Sequence, residues 1–162
     1  MQEHLERGGL IVYPTSTLPG LGCIPTKEGL DNLFEAKKRP STMPVSLGVA
    51  SLEQVSELVE IPTFLTEMLD AFAKGGITTI LPATKPLDVR LGGEQIAIRV
   101  FAHEGAIELA EEFGPITATS ANESGIEPEC DTEIAAKRLG ICLLYTSPSP
   151  RDLSTSRMPS SA

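Results

Sequence analysis

A chain of 162 residues, 41% of them hydrophobic, has enough apolar surface to bury one core and suits a single globular domain. A net charge of −9 disfavours sequence-independent binding to nucleic acid, which depends on neutralising many phosphates, so any anion this chain holds must be held locally. No apolar run approaches the roughly 20 residues that cross a bilayer, and the first residues lack the basic-then-apolar order of a signal peptide, so a cytoplasmic protein with no membrane partner is expected.

Along the chain, strand-like and helix-like segments alternate, which is the pattern of an α/β domain. Leu10-Ile11-Val12-Tyr13 is a short apolar run halted by Pro14. Lys27 to Lys38 carries Leu30, Leu33 and Phe34 at helical spacing. Val45 to Val49 reads as a strand, Leu52 to Val59 and Thr63 to Ala73 as two helices separated by Pro62, and Ile77 to Leu81 as a β-branched strand. Ile96 to Phe101 alternates faces, with Ile96, Ile98 and Val100 on one side and Ala97, Arg99 and Phe101 on the other. A helix over Glu104 to Phe113, a strand over Ile116 to Thr119 and a helix over Thr132 to Leu139 follow. After residue 141 the composition turns to Ser, Pro and Thr without periodicity. Residues 142–162 read as a disordered, non-native tail similar to a translated sequencing adaptor, leaving 1–141 as the domain.

The chemistry-bearing residues are few. The cysteines Cys23, Cys130 and Cys142 lie far apart and suggest inert thiols, with no metal site expected. His4 and His103 form no triad with a serine and an acid, and His103 reads as a surface residue. Lys37-Lys38-Arg39, stopped by Pro40, suits either a solvated helix end that complements the helix dipole or an anion site. Arg99, on the less apolar side of its strand, faces solvent or forms a carboxylate fork in a cleft. Two hydroxyl-rich turns, Tyr13 to Gly22 and Thr117 to Gly125, follow apolar strands at the carboxyl ends where α/β sheets usually bind ligands, though either could be an ordinary turn. Neither is a Walker A or a dinucleotide fingerprint.

In order, the segments Tyr13-Pro14-Thr15-Ser16-Thr17-Leu18-Pro19-Gly20-Leu21-Gly22, Lys37 to Pro40, Ile96 to Phe101 and Thr119-Ser120-Ala121-Asn122-Glu123-Ser124-Gly125 resemble the YrdC/Sua5 family. That resemblance implies a twisted open mixed sheet with flanking helices and a concave ligand cleft. It also implies an L-threonylcarbamoyladenylate synthase, a nucleotidyltransferase that joins L-threonine, bicarbonate and ATP into threonylcarbamoyl-AMP and pyrophosphate. Mg²⁺ accompanies the ATP, and the product passes to a threonylcarbamoyl-transferase complex that modifies tRNA.

By position, the resemblance implies that Thr17, Arg99 and Ala118 contact threonine. Lys37, Arg39, Ser120 and Asn122 would meet ATP, with Lys37 and Arg39 catalytic and Lys38 solvated. Thr15 and Thr78 also match family positions. The chain departs from the family pattern at Pro19, where a tyrosine is usual, at Met43, at Gly48, where many relatives have histidine, and at Lys74-Gly75-Gly76, which replaces Pro-Gly-Pro. The family domain continues into a segment that supplies further substrate contacts and is replaced here by the tail, so impaired or absent activity is expected of this polypeptide. Two other classes remain open: an RNA-binding or ribosome-assembly module of the same fold, and a carbamoyl-transfer module of the hydrogenase-maturation type.

Overall fold

The structure is a computed structural model and describes residues 1–143. Seven strands form one mixed sheet: β1 (Ile11–Tyr13), β2 (Gly20–Gly22), β3 (Ser46–Val49), β4 (Thr78–Pro82), β5 (Gln95–Val100), β6 (Ile116–Ser120) and β7 (Cys142–Leu143). Their spatial order is β4-β5-β3-β6-β2-β1-β7. The β3–β5 and β1–β7 pairs are parallel and the other four pairs are antiparallel. Five helices accompany the sheet: α1 (Gln2–Glu6), α2 (Lys27–Lys37), α3 (Leu65–Asp70), α4 (Glu104–Phe113) and α5 (Thr132–Leu139). Among the described residues, no helix is long and apolar enough to cross a membrane.

Because side chains alternate along a strand, the sheet has two faces with different fates. Val12, Leu21, Leu47, Val49, Ile96 and Ile98 form one core with Leu30, Leu33 and Phe34 of α2 and Ala135 and Ala136 of α5. Ile11, Tyr13, Ile116 and Phe101 form a second core on the other side, with Leu5 of α1 and Ala106, Leu109 and Ala110 of α4. That second layer stops short of the β4 edge. On the same face, Ile80 pairs with Ala97 and Thr78 with Arg99, and Ile80 remains 67% exposed. On the bare half of this face, central strands of the sheet present polar side chains, Arg99 and Ser120 among them, to a hollow.

The helix ends have local causes. Thr26 caps α2 by accepting the Gly29 N–H at 3.1 Å, and Lys38 ends it in a left-handed conformation with φ 50° two residues before Pro40. Asp131 caps α5 by accepting the Ile134 N–H. At the other side of α2, Arg90 holds Asp88 and Asp31 and lies over the Phe34 ring at 5.9 Å, fixing the helix against the loop after β4.

Three differences from the sequence expectations have physical reasons. The helix expected over Leu52 to Val59 is a single 3-10 turn, Leu52–Val55. Residues 58–60 are drawn instead to the end of β4, where Glu60 donates to the Pro82 carbonyl at 2.8 Å and Thr84 to the Leu58 carbonyl at 2.9 Å. The helix expected over Thr63 to Ala73 is confined to α3, whose last turn tightens through Ala71 and Phe72 N–H groups bonding three residues back. Gly20-Leu21-Gly22, expected as part of a turn, is a buried strand. The Tyr13 ring lies across it: a Cβ on Gly20 would stand 2.6 Å from Tyr13 Cζ, and one on Gly22 2.9 Å from Cε1. Two glycines are therefore required in a segment whose composition carries no strand signal.

Beyond the expected domain end at residue 141, Cys142 and Leu143 still pair with β1. The remainder of the stretch expected to be a disordered tail lies outside the described residues.

Candidate functional site

Over the bare part of the sheet lies a cavity of about 140 Å³, lined by Thr17 from the loop after β1, Arg99 from β5 and Ala118 and Ser120 from β6. The volume suits an amino acid and is well short of the 300 Å³ or more that larger ligands need. A nucleotide bound beside it would extend past the rim.

The loop after β1 is shaped by its own hydroxyls. Thr15 Oγ1 accepts the Thr17 N–H at 3.1 Å and donates to the Leu18 carbonyl at 2.5 Å, which curls the chain and leaves Thr17 exposed at the cavity mouth. The Pro19 carbonyl accepts the Ala121 N–H at 2.9 Å and so ties this loop to the turn after β6. Pro19, which has no N–H to give, costs no ladder bond, because β2 begins only at Gly20. Ser46 Oγ donates to the Ala118 carbonyl at 2.7 Å and fixes the cavity wall from β3.

Arg99 sits mid-strand between Thr78 and Gly48, and its Nε donates to the Gly75 carbonyl at 3.0 Å. Of the residues expected at the site, Thr17, Arg99, Ala118 and Ser120 converge on one hollow. Lys37, Arg39 and Asn122 do not line it.

Lys37 is only 1% exposed. Its Nζ reaches under the turn after β6 and donates to the carbonyls of Ser120 at 2.5 Å and Asn122 at 2.7 Å. Burial pushes the ammonium down to about 8, and the neighbouring Arg39 charge adds to the shift. The Ser124 N–H donates to the Lys37 carbonyl at 2.8 Å, and Lys38, exposed as expected, forms an ion pair with Glu123 at 3.0 Å. The carboxyl end of α2 therefore clamps the whole turn. Arg39 donates to the carbonyls of Met43 and Pro44 at 2.6 and 2.8 Å. Asn122 braces the turn internally: its Oδ1 accepts from Ser120 Oγ, and its Nδ2 donates to the Glu123 and Ile126 carbonyls.

Several lining residues were not expected from the sequence. His103, read there as a surface residue, caps α4 by accepting the Gly105 N–H at Nδ1 and lines the cavity. Phe101 and Tyr13 supply an apolar wall, their rings edge to face at 5.7 Å. The Tyr13 hydroxyl donates to the Thr117 carbonyl, and burial raises its pKa. Burial likewise pushes the Cys23 thiol up to about 11, in keeping with an inert cysteine.

The Phe101 ring occupies the space above Gly48, so that a Cβ there would overlap it. Gly48→Ala is expected to destabilise the fold by roughly 1–3 kcal/mol through overpacking, measured as a lower thermal midpoint. Adding Phe101→Ala should relieve the overlap, and an equal loss in both backgrounds would contradict it.

The Sua5_yciO_yrdC family model, described as "Telomere recombination", matches residues 3–151. The chain belongs to the Sua5/YciO/YrdC family. A relative from Aliivibrio fischeri named threonylcarbamoyl-AMP synthase is 38% identical over 143 residues, covering 83% of this chain and 77% of that protein. A Hahella chejuensis protein of the same name is 36% identical, covering 76% of this chain and 70% of its own. The crystal structure of Pyrococcus abyssi Sua5 complexed with L-threonine superposes with a TM-score of 0.76 at 34% identity. It matches 83% of this chain, which spans 41% of that longer Sua5 protein.

Proposed function

We propose that this domain is a threonylcarbamoyl-AMP synthase that binds L-threonine in the cavity over the bare sheet face and ATP along its rim. The observation that carries the reading is the convergence of Arg99, Thr17, Ala118 and Ser120 on an amino-acid-sized hollow, in a chain whose relatives bear that name and of which one, Pyrococcus abyssi Sua5, was solved with L-threonine.

Arg99 takes the threonine carboxylate as a bidentate fork, since a planar guanidinium matches two carboxylate oxygens. Thr17 and the backbone at Ala118 bound the side chain and amine. The threonine ammonium and bicarbonate combine, through CO₂, into a carbamate, with loss of one water and one proton. A carbamate oxygen then bonds to the α-phosphorus of ATP as the bond to pyrophosphate breaks. No covalent enzyme intermediate is needed, so the protein's contribution is alignment and charge stabilisation.

The ATP phosphates are assigned to the rim formed by Arg39 and the 119–122 turn. Lys37 acts from beneath that turn, its ammonium adding positive charge through the Ser120 and Asn122 carbonyls it holds. Asn122 shapes the turn, and Ser120 presents its hydroxyl there. Mg²⁺ arrives on the nucleotide's phosphates as part of the substrate. Among the described residues, no three His, Cys, Asp or Glu side chains group together as a protein cage. The product's transfer to tRNA through a partner complex, in the cytoplasm, belongs to the same proposal. Neither an RNA-binding role nor carbamoyl transfer is favoured by an observation at this site.

The test is pyrophosphate release from ATP with threonine and bicarbonate each supplied or omitted, together with calorimetric titration of threonine and ATP separately. Saturable threonine binding, and release that needs both co-substrates, is expected. Absence of threonine binding, or release indifferent to threonine, would overturn the assignment.

A further inference from the structure

Gly75 stands where three parts of the site meet. Its carbonyl accepts the Arg99 Nε–H at 3.0 Å. Its φ of +74° is a conformation that L side chains rarely adopt, and an added Cβ would come within 3.0 Å of Ser16 Oγ and 3.1 Å of the Ala102 Cβ, both on the cavity lining.

The loop that carries Gly75 has little behind it. On its far side lies a second cavity of about 280 Å³ with an apolar lining that includes Leu52, Leu69, Phe72 and Ile77, and Gly75 and Val100 belong to the walls of both hollows. Core packing therefore does not dictate where the Gly75 carbonyl points. The left-handed backbone, the close approach to Ser16 and Ala102, and the hydrogen bond to Arg99 do.

An arginine can offer a carboxylate either the edge between Nε and one terminal nitrogen or the edge between the two terminal nitrogens. With Nε committed to a backbone carbonyl, only the second edge remains for a bidentate pair. We propose that Gly75 is a positioning residue for the synthase reaction: its carbonyl sets the roll of the Arg99 guanidinium, so that the end-on fork faces the cavity and selects an α-carboxylate. This inference rests on the threonine-site reading above. A side chain at position 75 would shift the carbonyl, release Nε and let the guanidinium turn, weakening carboxylate recognition while leaving the charge in place.

The experiment uses the full chain and compares affinity for L-threonine with that for L-threoninol, which replaces the carboxylate with a hydroxymethyl group, by calorimetry, alongside ATP affinity. In Gly75→Ala, the threonine-to-threoninol preference is expected to fall about tenfold with ATP affinity changed less than twofold. Combining Gly75→Ala with Ser16→Gly, which removes the nearest obstacle, should restore part of the preference. Gly75→Asn, whose side chain tolerates positive φ, should lose less than Gly75→Ala and serves if the alanine variant folds poorly. Equal losses for threonine, threoninol and ATP would mark a general disturbance and overturn the proposal. If Arg99→Ala abolishes the preference while Gly75→Ala and Gly75→Asn keep it, the Gly75 role falls and the threonine site stands. If Arg99→Ala also keeps the preference, both fall.

Discussion

Replacing Arg99 with alanine is expected to raise the threonine requirement by on the order of 100-fold while moving the ATP requirement by no more than about threefold. Truncating one partner of a hydrogen-bonded charge pair typically costs 2–5 kcal/mol, and about 1.4 kcal/mol corresponds to tenfold. The larger part of that cost falls on threonine, because Arg99 is the one lysine or arginine on the lining of the amino-acid-sized cavity among the described residues. Its removal also frees the Gly75 carbonyl, which the exposed loop can satisfy with water, so the fold should survive. Steady-state pyrophosphate release at varied threonine and fixed ATP, then the reverse, gives the comparison, and calorimetric binding gives it without turnover. An unchanged threonine requirement would remove Arg99 from the site.

The second large effect is expected from Lys37→Met, which keeps the apolar stem of the side chain and deletes the ammonium. The Asn122 carbonyl then loses its donor beneath the turn, whereas the Ser120 carbonyl keeps the Asn122 N–H at 2.9 Å, and one unsatisfied buried polar group costs about 1–3 kcal/mol. A loss of about 1–3 kcal/mol in unfolding free energy is expected, with ATP use falling more than threonine binding because the disturbed turn borders the proposed phosphate rim.

The pH dependence has a definite sign. Burial holds the native ammonium near 8, against 10.5 in the open chain. Between those values the unfolded state binds more protons, so the contribution of Lys37 to stability rises with pH across that window. Cys23, whose thiol is pushed up to about 11, pulls the other way above about 9, but it does so in both proteins. Subtracting the variant's stability from that of the parent at each pH therefore isolates Lys37. The difference should grow from pH 8 to pH 10 in urea titrations, and a flat difference would argue that the ammonium is not desolvated.

Much of the fold was legible because burial imposes periodicity. The alternation of Ile96, Ile98 and Val100 against Ala97 and Arg99 follows from a strand with one face turned to the core, and β5 buries Ile96 and Ile98 on that face with Val100 half-buried at its end. The helices α4 and α5 match their expected bounds to the residue, since each begins at a capping side chain and ends at a glycine. The family blocks likewise pointed to four of the residues that line the cavity, Thr17, Arg99, Ala118 and Ser120. What periodicity could not reveal was β2, where glycines erase any side-chain pattern, or the loss of the helix after Leu52, where pairing with residues 82–84 outweighs a local preference.

Lys37 shows the same limit within the site. As part of Lys37-Lys38-Arg39, it looks like one of three equivalent cations. One helical turn decides otherwise: Lys37 shares the face of Leu30, Leu33 and Phe34 and is buried, whereas Lys38 points outward to Glu123.

By itself, then, the amino-acid order determined the alternating α/β elements, the family and four of the residues around the amino-acid-sized hollow, because those properties reside in local spacing and side-chain chemistry. Which cation is buried beneath the turn, which ring fills the room above Gly48 and which carbonyl aims the guanidinium were decided only when strands distant in sequence became neighbours. Each depends on contacts across the sheet, and distances between separate strands are not encoded in the spacing of residues along any one of them.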